Sequence, residues 1–285
     1  MDWKVKVAKQ AVINRLPFAD ALRTLKRRQF GYEPNPSNLE STLDFFAEMQ
    51  GILKGYGRSF EGASVLEIGS GWFPTIPIML AVSGAKKIWM TDLNPHMDSV
   101  TFASTLGFLR NKFPTNERLR AIKSIEDLPI QYLAPFSASD VPAREVDFVI
   151  SRTVLEHIPP PVIVDRLRSL KPALSENALM LHLVDHSDHL EHTDKNLSKI
   201  NFLCWSERKH SFVNRLIGDG ENRLRDHEYP PLFQSAGYRV VFSTSQVHQA
   251  TRDRVTTLPL VEPYTHMTPD QLATLSSTYV LASAD

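Results

Sequence analysis

The chain has 285 residues, of which 42% are hydrophobic and 22% charged, a composition that excludes collagen-like, low-complexity and disordered proteins. Its 32 Lys and Arg residues balance 32 Asp and Glu residues, which argues against a nucleic-acid-coating protein because such proteins carry a basic surplus. The single cysteine, Cys204, excludes an intrachain disulfide framework and a multi-thiolate zinc site.

The N-terminal segment is basic, with eight Lys and Arg side chains against two Asp within residues 1–30. The sequence has neither a membrane-spanning stretch nor a signal-peptide core, so we expect a cytoplasmic protein. The basic end is consistent with peripheral contact at the inner membrane face. A helix docked on the core is the favoured interpretation, because Val5 and Val12 face away from Trp3 and Val7.

The first 60 residues predict an N-terminal helical extension to the main domain. Ser37 and Glu40 form the S-x-x-E pattern of a capping box. Apolar residues then recur at helical spacing, which predicts an amphipathic helix over 37–54 with one buried face.

Residues 61–285 alternate between short apolar runs and helical patterns, which predicts a single α/β domain. Strands are predicted at 63–69, 86–92, 119–124, 145–151, 178–186, 238–247 and 277–284, and helices at 74–84, 96–113, 160–174 and 229–236. This alternation predicts a Rossmann-like, doubly wound, mostly parallel seven-stranded sheet. Residues 187–225 are too long for a plain connection, so we expect a lid insertion there.

A glycine-rich turn follows the first predicted strand, in the sequence VLEIGSGWFP. Such a turn between a strand and a helix lets the backbone approach a ligand closely. The dinucleotide fingerprint needs a glycine where Pro74 stands, so the motif is instead E-x-G-x-G, from Glu67, Gly69 and Gly71. Asp92 ends the second predicted strand, where a carboxylate can accept hydrogen bonds from ribose hydroxyls.

In these motifs the sequence resembles the class I S-adenosylmethionine-dependent methyltransferases. The resemblance implies S-adenosylmethionine as the cofactor and an antiparallel last strand in the sheet. It implies that an acidic residue after the third strand meets the adenine amino group. The cofactor-binding residues that it implies are Glu67, Gly69, Gly71, Asp92, Glu126, Asp127 and Ser151.

Four of the ten histidines lie within residues 182–195, at and beyond the carboxyl end of the fifth predicted strand, where open α/β sheets place their ligands. Methylation of a hydroxyl needs a base, and histidine titrates near neutral pH. Asp185 and Asp188 precede His189, which predicts a base oriented by a carboxylate, although a solvated loop has the same pattern. His157 is the second candidate base, since the turn after the fourth strand faces the substrate in similar enzymes.

A metal centre is the alternative use of these histidines. His186, His189 and His192 could ligate a divalent ion together with Asp185 or Asp188. No H-E-x-x-H pattern is present, so the sequence predicts no metal site. His182 lies within the predicted strand and is expected to be a packed core residue.

The predicted lid contains Trp205, Arg223 and Arg225, which could stack on a sugar or bind a phosphate. A lid helix with core aromatics is the alternative interpretation. The segment is similar to a loosely characterised group of bacterial methyltransferases found alongside glycan biosynthesis. The expected acceptor is therefore a sugar hydroxyl on a glycan or glycolipid precursor.

Other functions remain open at this level. The acceptor could be a soluble small molecule, or the chain could be a catalytically silent partner that only binds the cofactor. Methylation of a nucleic-acid base is disfavoured, because residues 151–154 are Ser-Arg-Thr-Val and lack an Asn-Pro-Pro-Tyr-type motif. The sequence leaves the oligomeric state open.

Overall fold

A computed structural model describes residues 1–15, 35–218 and 220–284. Its described helices are α1 (Trp3–Arg15), α2 (Pro36–Gly55), α3 (Thr75–Val82), α4 (Ser99–Lys112), α5 (Glu117–Ala121), α6 (Pro160–Leu170), α7 (Glu207–Ile217), α8 (Tyr229–Ser235), α9 (Gln249–Arg252) and α10 (Pro269–Ala273). Its strands are β1 (Ser64–Ile68), β2 (Lys87–Thr91), β3 (Ile130–Leu133), β4 (Val146–Arg152), β5 (Leu174–Asp185), β6 (Tyr238–Val247) and β7 (Thr274–Ser283).

The described strands form one seven-stranded sheet in the order β3-β2-β1-β4-β5-β7-β6. Strand β1 runs parallel to β2 and β4, and β2 runs parallel to β3. Strands β6 and β7 pair antiparallel. The central strands are apolar on both faces because helices cover them, and Leu66 and Trp89 are fully buried. The predicted Rossmann-like, doubly wound sheet is confirmed.

The predicted strand at 119–124 is wrong. Residues 117–121 form α5, and the third strand lies later, at Ile130–Leu133. The Asn116 side chain accepts a hydrogen bond from the Leu119 backbone N–H at 3.0 Å and so caps the helix. Residues 119–124 contain three apolar residues among six, a pattern that fits a helix or a strand equally well, and here the cap and the buried Leu119 decide for the helix.

The predicted capping box at Ser37 is also wrong, although the helix itself is confirmed. Helix α2 begins one residue before Ser37, at Pro36, and Asn35 is its N-cap residue. The Asn35 side chain accepts a hydrogen bond from the Ser37 backbone N–H at 3.1 Å. Asn and Ser are equally favourable caps, so the pattern alone did not identify the first residue.

The described chain divides into two compact units. The first, which we call the glycine-turn unit, comprises residues 35–152 and 169–181. In this unit α3, α4 and α5 share an apolar core built from Ile78, Phe102, Leu106, Leu109, Leu119 and Ile122.

The second unit, which we call the histidine unit, comprises residues 1–15, 153–168, 182–218 and 220–284. Its core includes Val7 and Trp205, and the Trp3 and Trp205 rings lie 5.1 Å apart. Val5 and Val12 are exposed and Val7 is buried, so α1 docks on the core through the face that carries Val7. The predicted extension over residues 1–60 thus contributes α1 to one unit and α2 to the other.

None of the described helices combines the length and the apolar character needed to cross a membrane. The basic residues Lys26, Arg27 and Arg28, on which the predicted membrane contact depends, lie outside the described residues.

Candidate functional site

The turn between β1 and α3 has a backbone that depends on its glycines. Gly69 and Gly71 have φ angles of +71° and +64°, a region in which other residues are strained. The backbone N–H groups of Gly69 and Ser70 donate to the Thr91 carbonyl at 2.9 and 3.0 Å, which ties the turn to the end of β2. A Cβ placed on Gly71 would meet no atom within 4 Å, so the space beside the turn is open to a ligand.

Asp92 directly follows β2, at the strand end where the sequence placed it, and it links this strand end to the glycine turn. One carboxylate oxygen accepts from the Gly71 N–H at 2.9 Å, and the other accepts from the Leu93 N–H at 2.7 Å. Each oxygen of an ionised carboxylate can accept two hydrogen bonds, so each keeps capacity for a ligand hydroxyl.

Glu67 lies on β1 just before the turn and is 5% exposed. Its Oε2 has no hydrogen-bond partner among the described residues. Burial raises the pKa of the Glu67 carboxyl to about 7, and the negative charge of Asp92 acts in the same direction. A buried polar atom without a partner is costly, so this oxygen indicates a group that the protein alone does not supply.

Ser151 is fully buried at the end of β4, where it lies in register with Ile68 of β1. The carboxyl ends of β1 and β4 are therefore level within the glycine-turn unit. A role for Ser151 in cofactor binding stays a prediction.

The expectation that Glu126 and Asp127 follow the third strand is wrong. They belong to a short turn, Ile125–Asp127, that precedes β3. Because β3 runs parallel to β2, this turn lies at the amino end of the sheet, opposite to Asp92. Asp127 accepts hydrogen bonds from the Lys123 and Ser124 N–H groups at 2.6 and 2.9 Å, a local structural role. The adenine assignment for both residues therefore has no basis.

In the histidine unit, the turn after β4 and the loop after β5 bring titratable side chains together. Ligand atoms of Glu156, His157 and His189 all lie within 4.8 Å of one another. The His157 and His189 ring centroids are 4.9 Å apart. We call these three residues the Glu-His-His cluster. The two histidines that the sequence proposed as bases thus belong to one group.

Two carboxylates flank His189. Its Nε2 lies 3.7 Å from Glu221 Oε1 and 4.0 Å from Asp185 Oδ2. An orienting role for Asp185 stays a prediction. The sequence did not suggest Glu156 or Glu221. The position of Glu156 directly before His157, a candidate base, was the one signal that could have identified it.

The turn that carries Glu156 and His157 follows a strained residue and is held in place by hydrogen bonds from Asn222. Thr153, a β-branched residue, has a φ angle of +51°, a conformation that is costly and concentrates at functional sites. Asn222 Nδ2 donates to the carbonyls of Leu155 and Ile158 at 2.9 and 3.0 Å. The Asn222 N–H also donates to the Glu156 carbonyl at 2.6 Å. The turn is therefore fixed on both sides of the two candidate ligands.

The Asp188 carboxylate is engaged by the surrounding loop, which gives no support to its predicted catalytic role. It is 1% exposed, and its carboxylate accepts from the Leu190 N–H at 2.8 Å and from Asn201 Nδ2 at 3.4 Å. The side chain thus stabilises the loop. His186 is also structural, since its ring nitrogens lie 3.0 Å from Ser277 Oγ and 3.2 Å from the Leu224 carbonyl oxygen. The alternative metal set that includes His186 and Asp188 is therefore wrong.

His182 is fully buried, as predicted for a packed core histidine. Burial lowers the pKa of its imidazole to about 3, so the ring is neutral at physiological pH.

The three residues predicted to bind the acceptor in 187–225 are engaged within the protein. Trp205 is 5% exposed and packs in the core of the histidine unit. Arg223 donates to the carbonyls of Phe202 and Trp205 and pairs with Glu207. Arg225 is fully buried and donates to the carbonyls of His186, Leu272 and Thr274. These contacts correct the predicted acceptor-binding role to a fold-stabilising one. Residue type did not distinguish the two, because aromatic and Arg side chains in a long insertion suit either role.

A model of the methyltransferase domain family matches residues 38–275, most of the chain. The chain belongs to this family. This methyltransferase has no match among curated proteins.

The methyltransferase also resembles several solved structures. One is an S-adenosylmethionine-dependent methyltransferase from Leishmania major, with 14% identity and a TM-score of 0.46 over 98% of this chain and 83% of that one. Another, an S-adenosylmethionine-dependent methyltransferase from Mesorhizobium loti, has 12% identity and a TM-score of 0.46 over 81% and 95% of the two chains. A third is a magnesium protoporphyrin IX methyltransferase from Synechocystis with bound S-adenosylhomocysteine, with 11% identity and a TM-score of 0.46 over 93% and 95%.

Replacing Glu67 by Gln is expected to change how stability depends on pH. In the folded protein the Glu67 pKa is about 7, against an ordinary value of 4.5. Between these two pH values only the unfolded chain ionises, so the wild-type protein loses stability as pH rises and levels off above pH 7. The Glu67→Gln variant lacks this loss. Its stability relative to wild type should grow by on the order of 3 kcal/mol across this window.

Urea unfolding of ligand-free protein at a series of pH values measures this difference. Glu176→Gln, at an exposed strand position, is the control and should show no such trend. A flat difference for Glu67→Gln would mean that Glu67 is ionised in the folded protein.

Replacing Arg225 by Ala should destabilise the protein by about 3–5 kcal/mol, because three buried carbonyls lose their donor. Arg252→Ala removes a half-exposed Arg paired with Asp270 and should change stability by less than about 1 kcal/mol. Urea unfolding measures both values. An Arg225→Ala protein of wild-type stability with weakened acceptor binding would restore the binding role.

Proposed function

We propose that this methyltransferase transfers the methyl group of S-adenosylmethionine to a hydroxyl oxygen, and that the acceptor is a sugar hydroxyl on a glycan or glycolipid precursor. The observation that carries the proposal is the glycine turn after β1, tied to Asp92 and followed by open space. The Glu-His-His cluster supplies the second part, because it holds two imidazoles in a unit with flanking carboxylates.

The glycine-turn residues suit S-adenosylmethionine in three ways. The positive φ angles of Gly69 and Gly71 keep side chains away from the ligand's path. Asp92 would accept hydrogen bonds from the ribose hydroxyls. Glu67, whose Oε2 has no partner among the described residues, would face the positively charged methionine part, where an added cation lowers the cost of a buried carboxylate. When bound, the cofactor supplies an electrophilic methyl group on a sulfonium ion.

The histidine unit would handle the proton of the acceptor hydroxyl. His189 is the preferred base, because Asp185 and Glu221 lie within 4.0 Å of its Nε2 and stabilise the imidazolium that forms when it takes a proton. His157 lies against the His189 ring and follows Ser151 by six residues in the chain. Methyl transfer itself is a displacement whose rate depends on alignment, and the clamp by Asn222 would keep the base in position.

The choice of a sugar hydroxyl as the acceptor depends on fewer observations than the choice of the cofactor. Trp205, Arg223 and Arg225 do not serve it, and it depends on the similarity of the segment 187–225 to methyltransferases found with glycan biosynthesis. A lipid-linked acceptor would give the basic residues within 1–30 a role at the inner membrane face.

Replacing Asp92 by Ala should weaken S-adenosylhomocysteine binding by about 10- to 100-fold, since two charge-assisted hydrogen bonds to the ligand would be lost. Isothermal titration calorimetry measures this affinity. Asp44→Ala, at an exposed position of α2, is the control and should bind like wild type. Wild-type affinity in the Asp92→Ala protein would show that the cofactor lies elsewhere.

Replacing His189 by Ala should lower methyl transfer by about 100- to 10,000-fold while S-adenosylhomocysteine binding is retained, because a general base is removed. The assay incubates methyl-labelled S-adenosylmethionine with the protein and a lysate, then separates lipid, polymer and small soluble fractions. Label in lipid or polymer supports the glycan acceptor, and label only in small soluble molecules contradicts it.

His266→Ala is the matched control, because His266 is an exposed histidine with its own carboxylate neighbour, Glu262, at 3.2 Å. It should transfer methyl groups at the wild-type rate. A wild-type rate in the His189→Ala protein would mean that this imidazole is not the base. Cofactor binding without label in any fraction would favour a catalytically silent protein.

A further inference from the structure

The Glu-His-His cluster has the composition of a metal site as well as of an acid–base group. Two imidazoles and one carboxylate form the ligand set of many catalytic zinc sites and of non-haem iron sites. Their ligand atoms lie within 4.8 Å of one another. Around a bound ion such atoms are about 3.3 Å apart, so modest side-chain rotations would complete the geometry.

Glu156 provides an independent observation that points to a ligand. The residue is 2% exposed, and its Oε2 has no hydrogen-bond partner among the described residues. Its Oε1 accepts a long hydrogen bond from the Asp185 N–H, at 3.4 Å. A carboxylate this deeply buried needs a compensating charge or donor, and a divalent cation between Glu156 and the two imidazoles would provide one.

The elements around the cluster hold the ligands in place. Asn222 fixes the Leu155–His157 turn through three hydrogen bonds. Gly220 approaches the turn so closely that a Cβ there would lie 3.2 Å from the His157 carbonyl oxygen. Asp185 and Glu221 lie 4.0 and 3.7 Å from His189 Nε2, and carboxylates outside the ligand set are common neighbours of metal-bound histidines.

We propose that Glu156, His157 and His189 bind a divalent transition-metal ion of the Zn²⁺ or Mn²⁺ type. Three protein ligands leave coordination positions open, which is the composition of catalytic rather than structural sites. Binding of the ion does not depend on the proposed function, but its use does. An acceptor hydroxyl in an open position would lose its proton to water more readily, because the cation stabilises the alkoxide. The ion would then replace the imidazole of His189 as the activating group.

The test measures metal binding without acceptor or methyl donor. The full chain is stripped with a chelator, dialysed and titrated with Zn²⁺ and, separately, Mn²⁺ by calorimetry. We expect one equivalent to bind in the wild-type protein. His189→Ala and the conservative Glu156→Gln should each weaken binding by at least about 100-fold. His266→Ala, which removes a histidine beside another glutamate, should bind like wild type.

Co²⁺ provides a second readout, because its visible absorption reports nitrogen and oxygen ligation in the wild-type protein and should disappear in both cluster variants. Circular dichroism checks that Glu156→Gln is folded. No binding of either ion to wild type, or equal binding by wild type and both variants, would overturn the proposal.

The outcomes also separate this proposal from the proposed function. Methyl transfer that persists in chelator and still depends on His189 would leave His189 as the base and contradict the use of the ion in catalysis, whereas the titration alone decides whether the metal site exists. Stoichiometric metal binding in a protein that transfers no methyl group to any fraction would support the site and contradict the O-methyltransferase function.

Discussion

Burying a carboxylate away from water is costly, and this methyltransferase does so at two positions that are candidates for ligand binding. Glu67 and Glu156 are each less than 10% exposed, and each has an oxygen without a hydrogen-bond partner among the described residues. Burial is the largest cause of a pKa of about 7 in both carboxyl groups. Stability alone would favour an apolar residue at either position, so both carboxylates indicate ligands.

The two carboxylates lie where open α/β sheets bind their ligands. Glu67 lies at the end of β1, before a turn whose glycines adopt positive φ angles. Glu156 lies in the turn after β4, beyond the strained Thr153. Ligands of such sheets bind beyond the carboxyl ends of the strands, because loops there can take conformations that the core forbids. Each unit therefore carries a buried acid and a constrained turn of its own.

Buried polar side chains in the predicted lid stabilise the fold and do not indicate ligands. Arg225, Arg223 and Asp188 direct their polar atoms at backbone carbonyls and N–H groups of the loops around them. Irregular chain cannot satisfy its own backbone groups as a helix or strand does, so long insertions need such partners. Their charge and position in the sequence are the same as those of ligand-binding residues, and only their contacts distinguish the two uses.

The sequence by itself determined the alternation of strands and helices, the glycine turn and the carboxylate at the end of β2. These features depend on local pattern: apolar runs bury both faces of a strand, and positive φ angles require glycine. It also brought His157 and His189 forward as candidates, because imidazoles near strand ends suit proton transfer. It misplaced the third strand, since three apolar residues within 119–124 do not distinguish a capped helix from a strand.

Only the tertiary structure decided which polar side chains have hydrogen-bond partners within the protein and which have an atom left to bind a ligand. The grouping of Glu156 with His157 and His189 joins positions more than 30 residues apart, and the Asn222 clamp comes from a segment still further along the chain. Whether a buried oxygen has a partner depends on such distant contacts, and residue type and spacing contain no information about them.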